Sequence, residues 1–236
     1  MTSFVLKIIA MISMLIDHLG ISYFHYTTTM NLIGRIAFPI FAFQISEGFI
    51  HTKNLKRYAL RLFLFALISQ IPFMCFRSIY TEGFALNIFF TLTLGLLSII
   101  AYDKIVKSPL ELWKNGKINI AFKIAFGIFI AIILGILSEL LHCDYGFFGV
   151  AIIFMFYLFK EHKVAMIISF ILACVINYGL DILQYGYHYL YIWLCLFTIL
   201  PIIFISFYNG KQGRKVKYLL YFFYPVHLLV LYFIFR

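Results

Sequence analysis

Lys7 and His18 are 11 positions apart in the apolar run FVLKIIAMISMLIDHLGISYF. On an α-helix that spacing returns to nearly the same face about 16 Å further along the axis. A cation at one end of such a stripe and an imidazole deep along it would suit a long substrate with an anionic head and a reactive tail, as acyl-CoA is. An imidazole titrates near neutrality and is the natural general base or nucleophile there. Asp17 precedes His18 and lies about 100° around the helix from it, so it need not be the group that orients the ring, and another helix could supply one. The plainer reading is a snorkelling lysine and a histidine that bonds a neighbouring helix.

Other polar residues interrupt equally apolar surroundings. Such groups cost a few kcal/mol or more in hydrocarbon unless they face the bundle interior or a wet cavity. Gln44, Glu47 and His51 follow i, i+3, i+7 spacing on one helix face, with Arg35 nearer the other end. Glu47 and Arg35 require partners, and an ion pair between helices that fixes packing would satisfy them as well as a functional role. Arg57 and Arg61, one turn apart, suit phosphate binding or anchoring at the membrane interface. Ser69, Gln70 and Pro72 lie in one segment at the level of Asn87 and Thr91 in the next, while Glu139, Asp144 and Tyr145 cluster further on. Tyr224 and His227 flank Pro225, and His227 with His18 lies nearest mid-membrane. The four cysteines, Cys75, Cys143, Cys174 and Cys195, show neither a CxxC nor a zinc spacing, so no metal is expected.

The elements that must position these groups are membrane helices. Hydrophobic residues make up 64% of the 236 and charged residues 12%, far from the balance of soluble domains. An all-α polytopic bundle of about nine spans is expected as one domain over 1–236, because no polar connection is long enough to bury a core of its own. The expected spans run from about 4 to 24, 31 to 51, 58 to 78, 84 to 103, 119 to 140, 144 to 160, 162 to 179, 188 to 208 and 217 to 235. Even-numbered joints are basic: Lys53, Lys56 and Arg57; Lys104, Lys107, Lys114 and Lys117; Lys160 and Lys163; Lys211, Arg214, Lys215 and Lys217. Odd joints carry almost no cations. The N-terminus is therefore expected in the cytoplasm and the C-terminus outside. The net charge of +10 has the same origin and calls for anionic lipid rather than nucleic acid.

The stretches KIIAMISMLIDHLG, GRIAFPIFAFQISEGFIHTKNLKRYALRLFLFALISQIPF, NIFFTLTLGLL, DYGFFGV and YPVHLLVLY resemble the TraX family, in order and over nearly the whole chain. That family is named for the membrane protein that acetylates the N-terminus of F-pilin. The resemblance implies a multi-pass acetyltransferase of the bacterial cytoplasmic membrane, using acetyl-CoA as co-substrate, and distantly similar to the acyltransferases that acylate surface sugars. Those relatives carry a basic residue, ten intervening positions and a histidine in their first helix, a spacing that Lys7 and His18 share. Their FF-x-x-SG stretch is similar to FAFQISEGF, with a departure at Glu47.

On that resemblance, acetyl-CoA enters from the cytoplasmic side, with Lys7, Arg57 and Arg61 at its phosphates and Arg35 as a further cation for the donor. His18, with Asp17 beside it, would act as general base or acyl carrier. Asn87, Arg35 or Tyr224 would stabilise the oxyanion, with Glu47 and His227 close to the substrate. Glu139 and Asp144 would meet an extracytoplasmic acceptor, a peptide N-terminus or a glycan hydroxyl. Two other readings compete. A secondary transporter would use the midplane His, Glu and Arg to bind a solute, and predicts repeat symmetry that the sequence does not display. A passive assembly subunit would tolerate His18→Ala.

Overall fold

The computed structural model describes residues 1–24, 29–109, 116–214 and 218–236, with residues 117 and 118 described by backbone alone. Lys114, Lys215, Lys217 and the side chain of Lys117 lie outside the described residues. Among the described residues the chain forms helices and no strands: α1 (Ser3–Phe24), α2 (Thr29–Gly34), α3 (Ala37–His51), α4 (Leu55–Arg77), α5 (Ile88–Val106), α6 (Gly116–Leu140), α7 (Gly146–Leu158), α8 (Lys163–Tyr185), α9 (Tyr189–Ile199), α10 (Pro201–Ser206) and α11 (Leu219–Phe235).

Local chemistry sets the breaks. Asn54 caps α4 by accepting the Arg57 N–H at 2.9 Å, and Asn87 caps α5 through the Phe89 N–H at 3.0 Å. Pro201 lacks the N–H that would carry α9 onward, so α10 begins there. Tyr145 adopts a left-handed conformation, φ 63°, directly before α7. A bulky side chain is uncommon in that conformation. The turn leads into α7 at Gly146, close to the expected start of the sixth span at about 144.

Seven helical segments among the described residues are long and apolar enough to cross a membrane: 3–24, 29–51, 55–77, 88–106, 119–140, 163–185 and 189–206. The other two expected spans are realised as shorter apolar helices, α7 and α11. The 29–51 segment is 72% buried in its most apolar window, against 22% for α6 and for α8, so it forms the centre. Its α3 portion packs on α1, α5 and α7. Leu60, Leu64, Leu67, Ile68 and Ile71 of α4, and Ile168, Leu172, Val175 and Ile176 of α8, are exposed apolar residues of the kind a lipid surface covers.

Two glycines permit close helix approaches. A Cβ at Gly34 would collide with the Asp17 side chain, so the glycine lets α2 lie directly on α1. The backbone then turns at Arg35 and Ile36 before α3 begins. A Cβ at Gly95 would likewise run into Ile153, and its absence brings α5 against α7.

Candidate active site

Two histidines from opposite ends of the chain meet in the core. His18 Nδ1 and His227 Nε2 are 2.7 Å apart, and the rings meet edge to edge and nearly coplanar, with centroids 5.0 Å apart at 14°. His227 is buried, its Nδ1 2.7 Å from the Phe223 carbonyl oxygen one turn earlier in α11. Its ring lies against Phe223 and Tyr224. His18 is half-buried and rests on Phe76 at 4.9 Å. Tyr224 is buried with its hydroxyl near the N–H of Ile88, a first-turn donor with no partner inside α5. Tyr224 keeps its own O–H to donate.

On the side where Ser3, Thr52 and Gln212 meet lies a cavity of about 530 Å³. Lys7, Glu47, His51, Arg61, Arg214 and Tyr221 supply its chemistry. The Ser3 hydroxyl donates to Gln44 Oε1 at 2.6 Å and ties α1 to α3 at its wall. The Arg61 guanidinium stands over the rings of Tyr58 and Tyr221, at 5.5 and 5.3 Å, and its buried Nε has no hydrogen-bond partner. A buried guanidinium nitrogen left unpaired is costly, and an anion would satisfy it. Glu47 pairs with His51 at 3.4 Å. Burial and the nearby Glu47 carboxylate push the Tyr208 phenol well above its ordinary value.

The histidine pair does not line this cavity. Contiguous rings stand between them: Tyr221 in the cavity wall stacks on Phe89 at 5.8 Å, Phe89 meets Tyr224 edge-on at 5.3 Å, and Tyr224 meets His227 at 5.8 Å.

Adjacent to His18 on α1, and outside the cavity lining, a third group of polar residues collects around Asp17. Asn31 Nδ2 donates to Asp17 Oδ1 at 3.0 Å. Arg35 feels the charges of Asp17 and Asp144 and the phenols of Tyr145 and Tyr178. Among the described residues no carboxylate comes within 4.0 Å of its guanidinium, and its buried Nε is unpartnered. Tyr145 stacks on Phe38 with centroids 3.8 Å apart, and the Thr91 hydroxyl donates to the Asp144 carbonyl. In the α6–α7 connection, burial pushes the Asp144 carboxyl up to about 6, Arg35 draws it down and Asp17 raises it.

The structure thus separates residues that sequence grouped. Lys7 and Arg61 reach the cavity, whereas Arg57 is exposed and does not line it. Arg35 belongs with Asp17 and Asp144 rather than with the other cations, because the α2–α3 break holds it at the other end of the second span. Glu47 lies in the cavity wall, paired with His51 rather than with Arg35. Asn87 has no donor to spare for an oxyanion: its Nδ2 already serves the Ala66 carbonyl and Gln70 Oε1, at 2.7 and 2.8 Å. Glu139 is exposed and accepts the Phe147 N–H at 2.8 Å, tying down the start of α7. Sequence reasoning does not single out Tyr58, Tyr221 and Arg214 at the cavity, or Asn31 beside Asp17. Tyr58, at i−3 from Arg61, carries a usable signal; the others need the tertiary fold.

Against known proteins, a family model described as "TraX protein" matches residues 3–235. The chain is 28% identical over 251 aligned positions to the probable fimbrial assembly protein FimC, serogroup H1, of Dichelobacter nodosus, covering 98% of this chain and 94% of that protein. It is 29% identical over 159 positions to an uncharacterized protein of Rickettsia prowazekii (strain Madrid E), covering 67% of this chain and 56% of that one. No solved structure matches.

Proposed function

The chain belongs to the TraX family, and from that premise we propose that it is a multi-pass acetyltransferase of the bacterial cytoplasmic membrane. It takes the acetyl group from cytoplasmic acetyl-CoA and passes it to an acceptor on the other side, a peptide N-terminus or a glycan hydroxyl. The carrying observation is the arrangement along α1. Lys7 stands in a basic cavity, and one layer of rings further on His18 stands paired with His227. The fimbrial assembly name of the Dichelobacter relative supports an acceptor destined for a surface appendage.

On this reading the cavity faces the cytoplasm, and α7 and α11 complete nine crossings. Lys7, Arg61 and Arg214 bind the phosphates of the donor, the unpaired Arg61 Nε among their donors. The volume of about 530 Å³ is within the range of small-molecule pockets. The thioester end passes the Phe89–Tyr221–Tyr224 layer to reach His18. There His18 Nε2 takes the proton of the attacking amine or hydroxyl as its heteroatom bonds to the carbonyl carbon. The C–S bond then breaks, and His18 returns the proton to the departing thiolate. In the covalent variant Nε2 itself bonds the carbonyl carbon as the C–S bond breaks, then hands the acetyl group to the acceptor, whose proton goes to the departing CoA thiolate. Tyr224 donates its O–H to the oxyanion. Asp17, Arg35 and Asp144 receive the acceptor.

Binding is the direct test. Acetyl-CoA at millimolar concentration raises the unfolding temperature of the detergent-solubilised protein, by up to about 2.7 kcal/mol of apparent stability at a hundredfold excess over Kd. Lys7→Ala and Arg61→Ala each weaken that effect. Absence of any stabilisation of the native protein overturns the proposal.

A further inference from the structure

The hydrogen bonds of the histidine pair fix where its protons sit. A backbone carbonyl only accepts, so His227 Nδ1, 2.7 Å from the Phe223 oxygen, carries a proton and donates it. A second proton on this ring would place a cation in the apolar core. Among the described residues no carboxylate oxygen lies within 4.0 Å of either ring to compensate it. His227 Nε2 is therefore bare and must accept. Its partner at 2.7 Å, His18 Nδ1, must donate. With its proton committed there, His18 presents an unprotonated Nε2, which takes part in no hydrogen bond among the described residues. His18 itself is half-buried, while its partner is buried at 6% exposure. The Phe223 carbonyl thus sets one ring, and that ring sets the next.

From this geometry we propose that His227 is a positioning residue: it holds the proton of His18 on Nδ1 and so leaves Nε2 as the lone pair offered to a substrate. The consequence for catalysis rests on the acetyltransferase reading, but the proton assignment does not. A free imidazole divides between two tautomers, and only the one with a bare Nε2 can act as base or nucleophile at that atom. The bond lies in the plane of both rings, which are within 14° of parallel, and so restrains His18 in χ2. Asp17, on the same helix but turned toward Asn31, has no share in this arrangement.

The experiment reads the protons directly. In protein labelled with ¹⁵N-histidine, with His18→Ala and His227→Ala spectra used for assignment, both residues show a protonated Nδ1 and a bare Nε2. Removing His227 converts the His18 signals to a mixture of tautomers. A protonated Nε2 on His18 in the native protein, or His18 signals unchanged in His227→Ala, overturns the proposal. In the transfer reaction His227→Ala lowers kcat roughly 10²-fold or more with KM for acetyl-CoA within about twofold. His227→Gln, whose amide oxygen can accept from His18 Nδ1, restores most of the loss. A glutamine variant as slow as the alanine variant overturns the positioning role. If the native protein transfers no acetyl group while its spectra show the stated tautomers, the acetyltransferase reading fails and the proton assignment stands.

Discussion

At the scale of single residues, an imidazole held in hydrocarbon is costly to maintain unless hydrogen-bonded, and His18 meets that requirement with a second imidazole. If His18 carries the chemistry, His18→Ala lowers transfer by roughly 10²- to 10⁴-fold, while the increase in unfolding temperature caused by acetyl-CoA stays as in the native protein. Loss of both would assign His18 to the fold instead. Asp144 gives a pH-dependent counterpart. Its carboxyl titrates at about 6 in the fold against an ordinary 3.8, so the unfolded chain ionises first as pH rises. Stability is lost between those two values and stays lower above them. Native protein should therefore lose on the order of 1–2 kcal/mol relative to Asp144→Asn between about pH 4 and about pH 7, a figure reduced because the group retains some solvent contact. Thermal unfolding of both proteins across that range checks it, and parallel curves would show that Asp144 is freely solvated. His18, His227 and Asp144 were legible in sequence because a polar residue inside an apolar run must be used for something. Asn87 and Glu139 also serve a local need, accepting N–H groups at a helix start.

At the scale of elements, the position of Arg35 depends on Gly34. The absent side chain lets α2 rest on Asp17, and the turn after it holds Arg35 beside the Asp17 and Asp144 charges. Gly34→Ala should cost about 1–3 kcal/mol, since the colliding atoms include the Asp17 Cβ, which moves only with the α1 backbone. Gly179→Ala is the control. Nothing lies within 4 Å of a Cβ in that position of α8, so gaining a better helix former should leave stability unchanged or raise it by up to about 1 kcal/mol. Unfolding temperatures of the two variants decide the matter, and equal effects would mean that the α1–α2 contact is loose. Hydropathy located the long segments because twenty apolar residues in a row have few other uses. It did not reveal the break at Arg35 and Ile36, where neither Pro nor charge pattern marks the spot. Nor did it reveal the left-handed turn at Tyr145 that precedes α7.

At the scale of the whole molecule, the joints sort themselves onto two faces. The Ser3 N–H donates to the Lys211 carbonyl, Thr52 and Gln212 line the same cavity, and Lys160 shares a smaller pocket with Tyr208. Leu86 and His142 pair elsewhere, N–H to carbonyl. The chain leaves α6 beside His142 and leaves α7 near Lys160, so α7 must run from one face toward the other. Its 13 residues span only about 20 Å, less than a bilayer core of about 30 Å. That length suffices because α7 is sheathed by α3, α5, α6 and α8 rather than by lipid, and because Asp144 and Tyr145 begin it inside a polar recess. The joints that carry Lys53, Lys160 and Lys211 then share one face, and the topology proposed above puts that face in the cytoplasm. In a variant with its four cysteines replaced, new cysteines at Lys53, Glu161 and Lys211 should react with a membrane-impermeant maleimide only from the cytoplasm. Cysteines at Glu82, Tyr187 and Arg236 should react only from outside. Outside labelling at Glu161 would mean that α7 turns back within the membrane. It would move every later joint to the opposite face, leaving Lys211 on the far side of the bilayer from the Ser3 amide to which it bonds.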